Sequence, residues 1–535
     1  MKKNMSKNRL DIIYPFITTL LLLLIVLAIC NITPFGPNSL AIRDANIQYL
    51  DFYGFLKNVL NGNGSLGYSF SKTLGGNFSA VYSYYLTSPF ALLVYVFPKS
   101  SFHLFFTCLI CLKLSLASSM FYLFLTKRFN VNLSYRNRFI FFVLSIGYGL
   151  SNYTLTQSSN IMWIDGVYML PLILLGTYRI MQGDKIYKLS IPVALSIIFN
   201  WYSGGINCLF SFFWFLFEVS ISNEIKSVKL FINRTIKYVL SMLIGVLLSS
   251  FIFLPTVFAM LSGNRGTFDL YYFKYDVFIG NILSVFQDMS INSYSDSDRI
   301  ALYCGAIGFV GWIHTALFSK ISNKTKGFII LFSFICVLLF YWQPFYFTFS
   351  LFKPVYSFWC RYSYIGIFFI LFVSAYGFYQ EKHTKYSLLY SSFICSLLLL
   401  ITQYLFGGHR RLDIVITIFF IIGISVLSCC YYNNFFKHKR VFKIAMILIA
   451  FCEMSLNSIL IYNTKKNMLV PQYQTYFSNE ESIIKSIKSF DTSIYRINQT
   501  STKNQFYQNS DNDKSVSLQA TYNESLNYDL KTAGI

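Results

Sequence analysis

The sequence predicts an all-α, polytopic membrane protein with about thirteen transmembrane helices. Three observations lead there. Of 535 residues, 55% are hydrophobic, 19% aromatic and only 12% charged, with a mean hydropathy of +0.50, whereas soluble domains carry about 25% charged residues. The apolar residues arrive in blocks of roughly 16 to 25, the length that spans about 30 Å of hydrocarbon at 1.5 Å per residue. Lysines and arginines collect between alternate blocks, as they do on the cytoplasmic side of a membrane.

The first block, 12 to 32, follows the basic leader Lys2, Lys3, Lys7 and Arg9. It is long for a signal-peptide core and is followed by no small-x-small cleavage site, so it reads as a retained first helix. Later blocks fall near 101 to 126, 139 to 156, 160 to 180, 187 to 201, 203 to 219, 237 to 261, 301 to 318, 327 to 342, 362 to 379, 385 to 406, 412 to 431 and 441 to 462. With the N-terminus inside, the even-numbered connections are the basic ones, for example Lys127, Arg128, Arg136 and Arg138, or Lys437, Lys439, Arg440 and Lys443. This predicts a multi-pass cell-membrane protein with a cytoplasmic N-terminus and an extracytoplasmic C-terminus. The net charge of +22 then lies along one face beside anionic lipid and does not call for nucleic acid.

The same parity puts 33 to 88, 262 to 300 and 463 to 535 outside. Residues 1 to 462 form the transmembrane domain on this reading. The C-terminal segment differs in kind, with Asn, Gln, Ser and charged residues replacing the apolar runs. Alternating stretches at 493 to 498 and 516 to 522 predict a small element of α+β or β character. It reads either as a stubby domain or as part of a larger one.

Several chemistries find no support in the residues. The eleven cysteines lie nearly all within apolar blocks, where thiols act as small hydrophobes. Cys108 and Cys111 form a CxxC without a second pair or a histidine cluster to complete a zinc site. There is no P-loop and no Ser-His-Asp signature. No cofactor is indicated; a divalent-metal requirement is left open.

Charged residues at the outer boundary are scarce and therefore informative. Apolar and aromatic residues recur at helical spacing through Arg43-Asp44-Ala45-Asn46-Ile47-Gln48-Tyr49-Leu50-Asp51-Phe52-Tyr53, predicting an amphipathic interfacial helix. On it Asp44, Gln48 and Asp51, spaced by four and three, share a face. Either that face is merely solvated, with Asp44 favouring the helix N-terminus, or two carboxylates and an amide converge on a site. Asp165 sits about one turn inside an apolar helix, where an ionised side chain costs roughly 2.5 to 3.5 kcal/mol at mid-membrane. It either pairs with Arg361 or another outer cation, or belongs to a site. Arg361, beside aromatics, and Arg410 and Arg411, in a turn, oppose the positive-inside trend. They either snorkel to headgroups or hold an anion, for which the guanidinium fork is suited. The stretch 74 to 78 reads as a flexible turn, and 84 to 97 as an interfacial or re-entrant helix.

Arg43-Asp44-Ala45-Asn46-Ile47-Gln48-Tyr49, with Gly75-Gly76-Asn77-Phe78 and Tyr84-Tyr85-Leu86-Thr87-Ser88-Pro89, resembles the first-loop signature of the bacterial YfhO membrane-protein family. Further matches follow in order: Met162-Trp163-Ile164-Asp165, Asn200-Trp201-Tyr202-Ser203-Gly204, Leu254-Pro255-Thr256, Arg361-Tyr362-Ser363, and Glu453 with Asn457. The resemblance covers about residues 10 to 465. That family is similar to GT-C glycosyltransferases, so the resemblance implies a GT-C-like fold and sugar transfer from a polyprenyl-phosphate donor to an extracytoplasmic cell-envelope polymer such as a teichoic or lipoteichoic acid. It implies inversion with Asp44 as the base, Arg361, then Arg410 and Arg411, at the phosphate, and Gln48, Tyr49, Asp51 and Asp165 in substrate binding or orientation. It also implies a separate glycosyltransferase that loads the carrier and a flippase. This chain departs from the family in its shorter C-terminal part. A transporter or lipid flippase is the alternative, and a non-catalytic envelope scaffold a third; no internal repeat of the transporter kind is visible.

Overall fold

The computed structural model describes residues 11–72, 75–129, 135–222, 227–261, 273–293, 300–352, 360–380, 386–407, 410–432, 439–465, 468–490 and 525–528. In chain order its helices are α1 (Ile13–Ile29), α2 (Leu50–Leu60), α3 (Ser79–Tyr85), α4 (Phe102–Arg128), α5 (Tyr135–Gly149), α6 (Asn152–Thr156), α7 (Ile164–Gln182), α8 (Tyr187–Phe199), α9 (Trp201–Ile221) and α10 (Val228–Leu248). Then follow α11 (Ser250–Leu261), α12 (Ser284–Gln287), α13 (Ala306–Ile313), α14 (Asn323–Tyr341), α15 (Gln343–Phe349), α16 (Tyr364–Tyr379), α17 (Ser387–Phe406), α18 (Arg411–Tyr432), α19 (Lys439–Lys465) and α20 (Val470–Phe490). Each apolar block of the sequence falls on helix. Among the described residues nine helices are long and apolar enough to cross a membrane, and Ile13–Ile29, Tyr187–Phe199, Ala306–Phe318 and Tyr364–Tyr379 are shorter apolar ones.

Helix α4 lies at the centre, packed by α1, α5 and α7, and α7 in turn carries α8 and α9. Close approach is bought with small residues. A Cβ on Gly204 of α9 would come within 2.8 Å of the Ile197 backbone in α8, so glycine lets the two helices touch. Proline inside α7 needs a different remedy. Pro171 cannot donate to the carbonyl four residues back, and Tyr148 Oη of α5 supplies that bond to Val167 O at 2.8 Å. In hydrocarbon a freed carbonyl has no water to turn to, so such replacement bonds are required.

Two short antiparallel ladders lie outside the bundle: β2 (Tyr68–Ser69) with β3 (Gly76–Asn77), and β1 (Asn38–Ser39) with β4 (Met468–Leu469). The second ties the first loop to the C-terminal segment. His103 reinforces it, its Nδ1 lying 2.7 Å from Ser39 Oγ and its ring 4.4 Å from Tyr473. The described part of that segment is thus mostly α20, together with the buried turn 525–528, rather than strands; the two alternating stretches at 493 to 498 and 516 to 522 lie outside the described residues. Residues 525–528 sit on α2, where Asn58 Nδ2 donates to Leu526 O and Asn527 O.

At the other charged end of α4, Arg128 grips the buried Glu218 of α9 with two bonds of 2.8 and 2.7 Å and stacks its guanidinium 4.1 Å from the Tyr178 ring. Removing one partner leaves a buried charge alone. Arg128→Met is expected to destabilise by about 3 to 5 kcal/mol, read as a lower thermal-unfolding midpoint in detergent, and the double variant Arg128→Met/Glu218→Leu should recover most of it.

Candidate active site

The first loop packs against the 89–96 stretch and α4. After Asp44 the chain makes a π-helical turn, Ala45–Tyr49, closed by Leu50 N–H to Ala45 O, before α2 begins. The extra residue in that turn rotates everything after it relative to an α-helix. This corrects the expectation of one shared face: Asp44 and Gln48 are partly exposed, whereas Asp51 is wholly buried along with Leu50 to Leu56. Helix α2 packs against α4 and the 89–96 stretch.

Asp44 follows Arg43, whose φ of 52° places a side-chain-bearing residue in the left-handed region. Arg361 follows Cys360, whose φ is 47°. Such conformations cost on the order of 1 to 3 kcal/mol and persist where surrounding contacts enforce them, commonly at functional sites. The two residues are also linked electrically. Burial raises the Asp44 carboxyl above the usual aspartate range, against the opposing pull of the Arg43 and Arg361 charges. A carboxyl so placed is a stronger base than a solvated one.

Arg361 is embedded in aromatic surface. Its guanidinium lies 5.0 Å from the Trp163 ring and 5.9 Å from the Tyr202 ring, and its backbone carbonyl accepts from Tyr153 Oη at 2.5 Å. Trp163 Nε1 donates to Tyr84 Oη at 2.9 Å. The Tyr84 ring leans on Tyr85 (4.7 Å) and Trp201 (5.8 Å). Tyr49 closes the group, its ring 5.1 Å from Tyr85 and its hydroxyl donating to Asn160 Oδ1 at 3.0 Å. Asn200 fixes this floor from below: Oδ1 caps α9 by accepting from Ser203 N (2.8 Å), and Nδ2 donates to Tyr84 O (2.8 Å). Motif residues more than 300 positions apart therefore meet at one place.

Of the alternatives the sequence left open for Asp165, the structure shows pairing, with a cation other than Arg361. Asp165 pairs with Lys113 of α4, Nζ to Oδ2 2.8 Å, both side chains 1% exposed. Its Oδ1 accepts from Ser88 Oγ (2.8 Å) and Tyr168 Oη (2.7 Å). Its ion pair is with Lys113 and not with Arg361. Lys113 escaped the sequence reading because one lysine in a long apolar run looks like noise; the available signal was the presence of a buried-block acid, Asp165, in need of a cation. Arg410 and Arg411 stand exposed at the start of α18. Tyr84, Trp163, Asn200 and Tyr202 were visible as motif residues but carried no assigned role.

The class that this architecture defines is an all-helical, multi-pass membrane protein with an aspartate, an arginine and a set of aromatic rings gathered at one end of its bundle. The chain belongs to the YfhO family: the model described as "Bacterial membrane protein YfhO" matches residues 15–533. Among solved structures it is similar to ArnT from Cupriavidus metallidurans bound to undecaprenyl phosphate, at 9% identity over 96% of this chain and 85% of that one, with a TM-score of 0.44. It is also similar to ArnT from the same organism in the apo state, at 8% identity over 84% and 77%, with a TM-score of 0.40. A search of curated proteins gave no match.

Asn200→Ala removes the cap of α9 and the anchor of Tyr84 together. A stability loss of about 1 to 2 kcal/mol is expected from the cap alone, measured by thermal unfolding, with a shifted tryptophan emission reporting the loosened Trp163 and Trp201.

Proposed function

We propose that this protein transfers a sugar from a polyprenyl-phosphate carrier to a hydroxyl of a cell-envelope polymer, such as a teichoic or lipoteichoic acid, on the extracytoplasmic face of the membrane. The observation that supports it most is the half-buried Asp44 carboxyl standing in the field of Arg361, whose guanidinium rests on aromatic rings. Membership of the YfhO family and the family's likeness to GT-C transferases agree with it.

In this scheme the acceptor oxygen attacks the anomeric carbon, and the bond from that carbon to the phosphate oxygen breaks. The acceptor proton passes to the Asp44 carboxylate, while the electron pair leaves with the lipid phosphate. Arg361 meets the charge that grows there; a cation already in place needs no reorganisation during the step. Its fork can hold two phosphate oxygens at once, which a lysine cannot do. Gln48 and Tyr49 orient the sugar or the acceptor, and Asp165 acts by holding Lys113 and Ser88, hence the floor under Trp163. Arg410 and Arg411 face the lipid headgroups. The scheme has the N-terminus in the cytoplasm and a separate enzyme and flippase supplying the loaded carrier; no cofactor enters it.

The test is sugar incorporation into envelope polymer in a strain lacking the gene, complemented with wild type or variants at matched membrane levels. Asp44→Asn and Asp44→Ala should lower transfer at least 10²-fold, as loss of a general base does. Arg361→Ala should lower it by about 10² to 10³, with Arg361→Lys recovering little. Full activity of both Asp44 variants would defeat the assignment and favour a transporter or flippase.

The pH dependence has a defined sign. Because burial raises the Asp44 carboxyl, the active, unprotonated form is lost on the acid side at a higher pH than for an ordinary aspartate. Arg361 pulls that value down, so Arg361→Gln should move the acid limb of the residual rate further toward neutral pH, read in membranes with purified donor.

A further inference from the structure

A second feature lies beside the Arg361 stretch. Between α14, α16 and the 282–289 segment is a cavity of about 250 Å³, lined among others by Phe286, Trp312, Phe334, Val337, Phe340 and Ile370. That is smaller than the roughly 300 Å³ at which sites for whole drug-sized ligands begin, and suits a length of chain. Its polar groups are spent within its own wall: Trp312 Nε1 donates to Ser333 Oγ at 3.1 Å, and Ser333 Oγ donates to Ile329 O at 2.8 Å. The occupant must therefore be hydrocarbon. Phe334 lines the cavity and is 54% exposed, beside the outward-facing Ile330 and Leu331, so the cavity opens sideways from α14 toward the lipid.

It is also joined to the candidate site. Arg361 leads directly into α16, whose Gly366 forms part of the wall. The Arg361 stretch is pinned to the end of α14 by Tyr362 Oη donating to Leu339 O at 2.6 Å and by Cys360 Sγ, 3.7 Å from Phe340 O. Phe340 lies against Gly366, where a Cβ would come within 2.9 Å of its ring; any larger residue there would push the ring toward the cavity.

We propose that this cavity seats the isoprenoid chain of the carrier, entering sideways from the bilayer, with the phosphate held at Arg361. This rests on the reading of a polyprenyl-phosphate donor. The test uses the purified full chain in detergent with two probes: undecaprenyl phosphate, and dimethylallyl phosphate, which has the headgroup and a single isoprene unit. Val337→Trp fills the cavity, and Leu331→Trp puts the same ring on the outward face of the same helix. Undecaprenyl phosphate should bind roughly tenfold more weakly to Val337→Trp, the loss of about two methylenes' worth of burial, with dimethylallyl phosphate unchanged and Leu331→Trp like wild type. In the unmutated chain, undecaprenyl phosphate carrying a diazirine in its first isoprene units should label α14 and α16. This second measurement holds even if Val337→Trp folds badly.

Labelling elsewhere, or equal affinities for both tryptophan variants, overturns the proposal. So does protection of the label by phosphatidylglycerol as strongly as by undecaprenyl phosphate, which would mark an ordinary acyl-chain site. If Arg361→Ala weakens both probes while Val337→Trp weakens neither, the cavity assignment fails and the donor reading stands. If neither probe binds the wild type, both fail together.

Discussion

A charge inside a helical bundle in lipid must find its partner within the protein, and the Lys113–Asp165 pair, both side chains 1% exposed, meets that demand. The pair joins α4 to α7, and through Ser88 it also holds the stretch between α3 and α4. Four residues before Ser88 stands Tyr84, and two before Asp165 stands Trp163, which bonds to Tyr84. The aromatic floor under Arg361 is thus set by an ion pair that touches neither Arg361 nor Asp44 directly. Isolated pairs of this kind do not add much stability over a well-packed apolar pair. Removing either partner alone leaves the other charge buried and unpaired, which is the costly case.

Above that floor the site is made mainly of rings. Arg361 gains from two faces at once, each contact worth on the order of 0.5 to 2 kcal/mol depending on desolvation. Arg128 is held differently: its guanidinium makes two bonds to the Glu218 carboxylate and lies over the Tyr178 ring.

The helical architecture was legible almost throughout, because hydrocarbon imposes length and composition on each span; every apolar block became helix. The motif residues were legible as a set, and the structure brings Tyr49, Tyr84, Trp163, Tyr202 and Arg361 together. Two things were hidden. The π-turn at Ala45–Tyr49 leaves no periodic trace in five residues, so Asp51 was placed on the wrong face. Long-range polar pairing is invisible to periodicity, so Lys113 was missed as the partner of Asp165, for which the sequence offered Arg361 or another outer cation. Glu453 and Asn457 show the same lesson from the other side: Glu453 accepts from Ala306 N at 2.6 Å, and Asn457 Nδ2 donates to Asn152 Oδ1 at 2.7 Å, which makes both of them fasteners between α19 and its neighbours.

The β1–β4 ladder has a consequence for how the molecule is made. Its strands are roughly 430 residues apart in sequence, and ribosomes add about 5 to 20 residues per second, so β1 waits roughly 20 to 90 s for its partner. The loop bearing Asp44 emerges after the first helix but gains this clasp only once α19 has been threaded into the bilayer. Nascent intermediates therefore carry the acid without its full setting, and the completed site belongs to the last stage of biogenesis.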